Sequence, residues 1–72
     1  MRLISQDGRM NISYDLVHLS VDEITGKWCI NAWDKFGGKP LCLATYPTKE
    51  KALREFELIM AYSSGNAKNF IL

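Results

Sequence analysis

Apolar and polar positions alternate along most of the chain up to Tyr46, and from Thr48 onward the repeat lengthens to that of a helix. The segments "RLIS" and "RMNISYD" flank "QDG", and Asp-Gly between two alternating apolar runs is a strong hairpin signal. With Asp7 and Gly8 as turn residues, Ser5 faces Met10 and Leu3 faces Ile12, and the period of two puts Leu3, Met10, Ile12 and Tyr14 on one side. That side is a predicted core face. "LVHLSV", 16–21, alternates again and runs into the turn formers of "DEITG", predicting a third strand or a continuation of the second after a bend. "KWCINAW" and "PLCLATY" are rich in β-favouring residues and read as a further hairpin joined by "DKFGGK", whose Gly37 and Gly38 tolerate positive φ.

From Thr48, the apolar residues Ala52, Leu53, Phe56, Ile59 and Met60 fall on one stripe of an α-helix. Thr48 suits the N-cap, Glu50 the positive end of the helix dipole, and Gly65 the left-handed position beyond the last turn. The capping box is incomplete, because Lys51 stands where its Glu or Gln belongs. The closing "GNAKNFIL" ends in Phe70, Ile71 and Leu72, a tail apolar enough to pair at a sheet edge, tuck under the helix or dock on another subunit. The expected fold class is α+β: an antiparallel β-meander of about four or five strands with one C-terminal amphipathic helix packed on one face, all in a single domain, 1–72.

The tryptophans sharpen this picture. Positions 28 and 33 differ by an odd number, so in a regular strand their side chains point to opposite faces. Trp28, Ile30, Ala32, Leu41 and Leu43 form the more apolar face, which the helix is expected to cover. Cys29, Asn31, Trp33, Cys42, Ala44 and Tyr46 form the other, for which one helix leaves no cover within the monomer. A large aromatic among small residues there predicts an oligomer face or a ligand platform, against the plainer reading of a lone exposed tryptophan.

Composition excludes more than it proposes. At 72 residues, 47% hydrophobic and 24% charged, the chain is an ordinary globular domain whose thin core makes self-association the default expectation. Two cysteines and one histidine are too few for a closed four-ligand zinc site, and no cofactor motif is present. Too few cysteines for a stapled secreted miniprotein, and no apolar leader at the start, predict a cytosolic protein with no membrane segment. In that compartment Cys29 and Cys42 are expected as free thiols. They lie directly opposite if Lys35 and Phe36 form the turn, and diagonally if the loop is 34–39. A net charge of +1 with scattered basic residues argues against general nucleic-acid binding, while leaving room for one small anionic ligand.

The opening "MRLISQDG…NISYD", taken with "LATYPTKEKALREFELIMAY", resembles a family of small uncharacterised proteins of phages, prophages and mobile elements of Gram-positive bacteria. The matching positions are Gln6, Asp7, Gly8, Tyr14, Tyr46, Thr48, Glu50, Lys51 and Ala52, which are turn, cap and packing residues. The resemblance covers most of the chain and implies a small antiparallel sheet carrying one helix. It brings no catalytic motif, and it does not extend to the tryptophan pair of "WCINAW". A phage origin implies host cytoplasm, and by analogy of size and setting it suggests a counter-defence role.

Chemistry offers few candidates. His18 is the only obvious acid/base group, and no Gly-x-Ser-x-Gly, His-Glu-x-x-His or phosphate-loop motif accompanies it, so it reads first as an ordinary strand residue. In the loop "DKFGGK", backbone N–H groups with Lys35 and Lys39 could receive a phosphate while Trp33 or Phe36 stacks on a base, although such loops are usually plain turns. Arg54 on the helix could add a cation, or simply belong to a solvated face. The favoured expectation is a non-catalytic binding protein, an oligomer that sequesters a nucleotide-like signal through Trp33, Lys35, Phe36, Lys39 and Arg54. The alternatives are an inhibitor docking on a host enzyme through its open sheet face or edge strand, and a small enzyme using His18.

Overall fold

The computed structural model describes residues 1–34 and 38–72. Along the chain come β1 (Arg2–Ile4), β2 (Asn11–Ser13), a 3-10 turn over Tyr14–Leu16, β3 (Val17–Ile24), β4 (Lys27–Asp34), β5 (Leu41–Tyr46), α1 (Lys49–Ser63) and β6 (Asn69–Ile71). The class is α+β, as the pattern predicts. The strands, however, divide into two three-stranded sheets, β2-β1-β6 and the antiparallel meander β3-β4-β5, rather than one.

The first hairpin has the predicted register, Leu3 opposite Ile12, with the Ser5 N–H donating to the Met10 carbonyl at 2.9 Å. Its turn is shifted by one residue. Gly8 N–H donates to the Ser5 carbonyl, so Gln6 and Asp7 are central and Gly8, at φ 76°, takes the left-handed position after them. Asp7 Oδ1 holds the turn by accepting from Ser5 Oγ at 2.6 Å and from the Arg9 N–H at 3.0 Å. The tail takes the first of its three options: β6 pairs in parallel with β1, setting Phe70 beside Leu3. Phe70 is buried and meets Tyr62 of α1 edge to face, with ring centroids 5.1 Å apart.

β3 is a separate strand, set off from β2 by the 3-10 turn. It joins β4 through Thr25 and Gly26 at φ 49° and 81°, a two-residue turn positive at both positions, and the two strands pair without interruption from Ile24–Lys27 to Val17–Asp34. Trp28 and Trp33 therefore do face opposite ways. Trp28 is half-buried on the helix side, with Lys49 Nζ 5.6 Å from its ring centroid. Trp33 lies across from His18 on the other face.

The departure from expectation is in β5. Ile30 pairs with Ala44 but Asn31 pairs with Cys42, so Leu43 is the extra residue of a β-bulge. One inserted residue exchanges the faces of everything beyond it. Ala44 and Tyr46, expected beside Trp33, instead face the helix, Tyr46 lying opposite Trp28 and against the core. Tyr46 thus leaves the predicted oligomer face. The bulge also lets Leu43 and Ala44 be buried together, whereas Leu41, expected under the helix, is 46% exposed.

In α1, Thr48 Oγ1 accepts from the Lys51 N–H at 3.3 Å, the cap predicted for it. Ala52 and Ile59 are buried and Phe56 half-buried, while Leu53 and Met60 stay exposed, so the buried stripe is narrower than the apolar one. At the C-terminal end, Ser63 Oγ and Ser64 Oγ donate back to the Met60 and Ala61 carbonyls, and the left-handed residue is Asn66 at φ 62° rather than Gly65. Leu3, Ile30, Ala32, Leu43, Ile59 and Phe70 form the core, drawn from both sheets and the helix. Each large side chain among them contributes about 1.5–3 kcal/mol by leaving water. Among the described residues no helix is long and apolar enough to cross a membrane.

Candidate functional site

Two regions hold most of the predicted site residues that are described: the outer face of the meander and one end of the molecule, where the sheets meet. On the outer face, β3 and β4 set His18 across from Trp33, Ser20 across from Asn31 and Asp22 across from Cys29. Trp33 Nε1 donates to Ser20 Oγ at 2.8 Å, Ser20 Oγ donates to Asp22 Oδ2 at 2.6 Å, and Asn31 Nδ2 donates to the same oxygen at 2.9 Å. The Ser20 hydroxyl and then the Asn31 amide hold the Asp22 carboxyl below the ordinary carboxylate range, because both bonds favour the ionised form. Asn31, a member of this chain of polar contacts, is buried. Trp33 is left 39% exposed, its indole N–H satisfied and its ring at the margin of the face.

Cys29 and Cys42 are both free thiols on this face. Asn31 lies opposite Cys42, so Cys29 is the diagonal neighbour, the geometry predicted for the loop 34–39. Cys29 is buried and Cys42 exposed. Partial burial, and then the neighbouring Cys29 thiol, push the Cys42 thiol above its usual pKa, which disfavours a reactive thiolate.

Gln6 is a residue whose role the sequence does not reveal. From the tip of the first hairpin its N–H donates to the Leu43 carbonyl at 2.8 Å, and its Oε1 accepts from the Thr45 N–H at 3.1 Å. It closes the outer edge of β5 at the bulge and ties the two sheets together. In the sequence Gln6 reads only as part of a turn. Its partners are thirty-seven or more positions away in sequence, beyond the reach of any local pattern.

A cleft of about 620 Å3 opens where the first hairpin approaches the ends of β3, β4 and β5. Ile12, Leu16, Val17 and Leu41 give it an apolar floor, and Arg2, Asp34 and Lys39 are its charged lining residues. The Arg2 guanidinium is aimed by Asn11, with Nε donating to Asn11 Oδ1 at 2.7 Å and Nη2 to the Asn11 carbonyl at 3.0 Å. Those two bonds leave further N–H donors of the fork for an anion.

The predicted ligand set is thus divided. Lys39 lines the cleft, Trp33 belongs to the sheet face, and Arg54 is exposed on α1, across the meander from Trp33. Lys35 and Phe36 lie outside the described residues. Of the predicted oligomer face, Cys29, Asn31, Trp33 and Cys42 do share one surface. His18 is exposed on that surface, with Trp33 as its cross-strand neighbour. Among the described residues, no group of three or more His, Cys, Asp or Glu is placed to hold a metal ion. Comparison with protein-family models, with curated proteins and with solved structures finds no match.

Proposed function

We propose that this chain is a non-catalytic binding protein for a small molecule that combines an apolar or aromatic body with an anionic group, seated in the cleft between the two sheets. The observation that carries this reading is the lining of the cleft: an apolar floor with Arg2, whose guanidinium is held by Asn11, and Lys39 as two cationic lining residues against the one acidic residue Asp34. Ligand sites commonly have this composition, a mostly apolar wall with a few placed polar groups. The resemblance to phage and mobile-element proteins sets the reading in a host cytoplasm, where a nucleotide-like signal sequestered from a defence system is the favoured ligand. Relative to the reading from sequence, Arg2 takes the place of Arg54, because Arg54 does not line the cleft.

Thermal unfolding in the presence of a panel of cyclic nucleotides tests it. A ligand at a hundredfold excess over its Kd adds about 2.7 kcal/mol of stability, which in a domain this small raises Tm by roughly 10 °C or more. Lys39→Glu is expected to abolish that rise while leaving the Tm of the free protein nearly unchanged. An equal rise in the variant sinks the assignment of the cleft. No rise with any member of the panel sinks the nucleotide reading and returns the protein-inhibitor alternative to the front.

A further inference from the structure

The two edges of the meander are treated differently. The outer edge of β5 is closed by Gln6 and broken by the bulge, devices that keep an edge from pairing with another chain. β3, at the other edge, runs for eight residues, "VHLSVDEI", with no proline, lysine, glycine or bulge, and among the described residues no backbone hydrogen bond reaches its outer side. Which of its backbone groups point outward follows from the turn. In a two-residue hairpin with positive φ at both positions the closing pair, Ile24 and Lys27, is a hydrogen-bonded one. Alternation then turns the N–H and C=O groups of Ile24, Asp22, Ser20 and His18 toward β4, and those of Glu23, Val21, Leu19 and Val17 away from it.

We propose that this edge pairs with the same edge of a second copy, antiparallel about a two-fold axis through Ser20, to make one continuous six-stranded sheet. The side chains select this occupant and this register. With Ser20 opposite itself, Leu19 meets Val21 and Val17 meets Glu23, and these are the residues whose backbone groups point outward, so every hydrogen-bonded position is filled. The intervening pairs place His18 against Asp22 of the second copy twice over, a complementary contact in the closer, non-hydrogen-bonded type of pair. Ser20 and Asn31 both bond to Asp22 at Oδ2, so the contact with His18 is made through Oδ1. A shift by two residues in either direction loses the His18–Asp22 pairs and shortens the hydrogen-bonded overlap.

Sedimentation equilibrium and amide hydrogen exchange on the intact chain decide the matter. The expected mass is twice the 8.2 kDa of the chain, and the Leu19, Val21 and Glu23 amides are expected to exchange more slowly as concentration rises. His18→Glu sets like charges opposite each other twice and is expected to weaken the dimer at least about tenfold. Val21→Pro removes an N–H that has no partner among the described residues, and is expected to give a folded monomer by circular dichroism. A mass of 8.2 kDa at the highest concentration overturns the proposal. So does a dimer whose Leu19, Val21 and Glu23 amides exchange freely, or one that folded Val21→Pro leaves intact.

Discussion

Tyr46 is predicted to lower the stability of this protein, and replacing it with phenylalanine is predicted to raise it. The bulge turns the Tyr46 side chain toward the core, where its hydroxyl is buried and has no hydrogen-bond partner among the described residues. A buried polar group left unpaired costs about 1–3 kcal/mol, and Tyr46→Phe removes the hydroxyl while keeping the ring, so a gain of about 1 kcal/mol is expected at neutral pH. In a domain of this size that gain corresponds to roughly 4–8 °C in Tm.

The same burial, and then the charge of Glu55, push the Tyr46 phenol up to about 12 from its ordinary 10. Above pH 10 the unfolded chain releases this proton and the folded chain keeps it, so the unfolding free energy falls as pH rises from 10 towards 12. Below pH 10 this contribution is constant. At 1.36 kcal/mol for each pKa unit the ceiling on the loss is about 2.7 kcal/mol, and because the residue is partly open to solvent a loss of about 1 kcal/mol is the reasonable expectation. Trp28, directly across the strand from Tyr46, reports unfolding by its fluorescence. Urea titrations of both proteins at pH 7, 9, 10.5 and 11.5 should therefore show the advantage of the phenylalanine variant steady to pH 9 and growing by about 1 kcal/mol beyond it. A variant less stable at pH 7 with an unchanged m-value would show that the hydroxyl has a partner. A difference flat to pH 11.5 would show that the phenol titrates normally.

Thr25, a β-branched residue at φ 49°, sits in a turn that favours Asn-Gly, so Thr25→Asn should raise stability by about 0.5–1 kcal/mol in urea unfolding. Leu43→Ala, at the bulge and 2% exposed, should cost about 3 kcal/mol by emptying part of the core. Asp7 and Asp22 both have folded pKa values below the ordinary carboxylate value, Asp7 chiefly through the Ser5 hydroxyl and Asp22 through Ser20 and Asn31. Their contribution to stability is present above about pH 4 and is lost as pH falls through the folded values. An Asp7→Asn, Asp22→Asn double variant should accordingly unfold with a shallower dependence on pH between 5 and 2.

What the sequence discloses about this fold depends on how locally each feature is determined. The first hairpin register, the Thr48 cap and the opposed tryptophans rest on spacing within one or two elements, and each is found where the pattern puts it. Tyr46 and Ala44 are misplaced by the same reasoning because a parity argument carries across a hairpin only if neither strand is bulged. Nothing in "PLCLATY" marks Leu43 as an extra residue; Gln6, which bonds the Leu43 carbonyl and the Thr45 N–H beyond it, reaches the bulge from the tip of the first hairpin. The division into two sheets is hidden for a similar reason. A three-residue tail strand has too little pattern to reveal that its partner, parallel β1, begins the chain. Lys39 is found among the cleft residues, whereas Arg2 escapes notice because its position over the cleft depends on Asn11 across the first hairpin.

The hydrogen bonds on the outer face bear on which surface is available to a macromolecule. An open sheet face with a tryptophan invites docking when its centre is apolar and uncovered. Here the centre is Asn31, already buried, and Trp33 lies at the margin with its N–H bound to Ser20. A partner laid on that face would cover groups whose hydrogen bonds are already made, with little apolar area gained in return. At the outer edge of β3 the balance is reversed, since the backbone groups there have no partner among the described residues and each bond formed satisfies a donor and an acceptor at once. Cys42→Glu separates the two surfaces. It sets a charge on the face two strands from β3 and leaves the β3 backbone and Asp22 as they are, so it should leave the dimer Kd within about threefold, whereas binding through the face would raise Kd well beyond that.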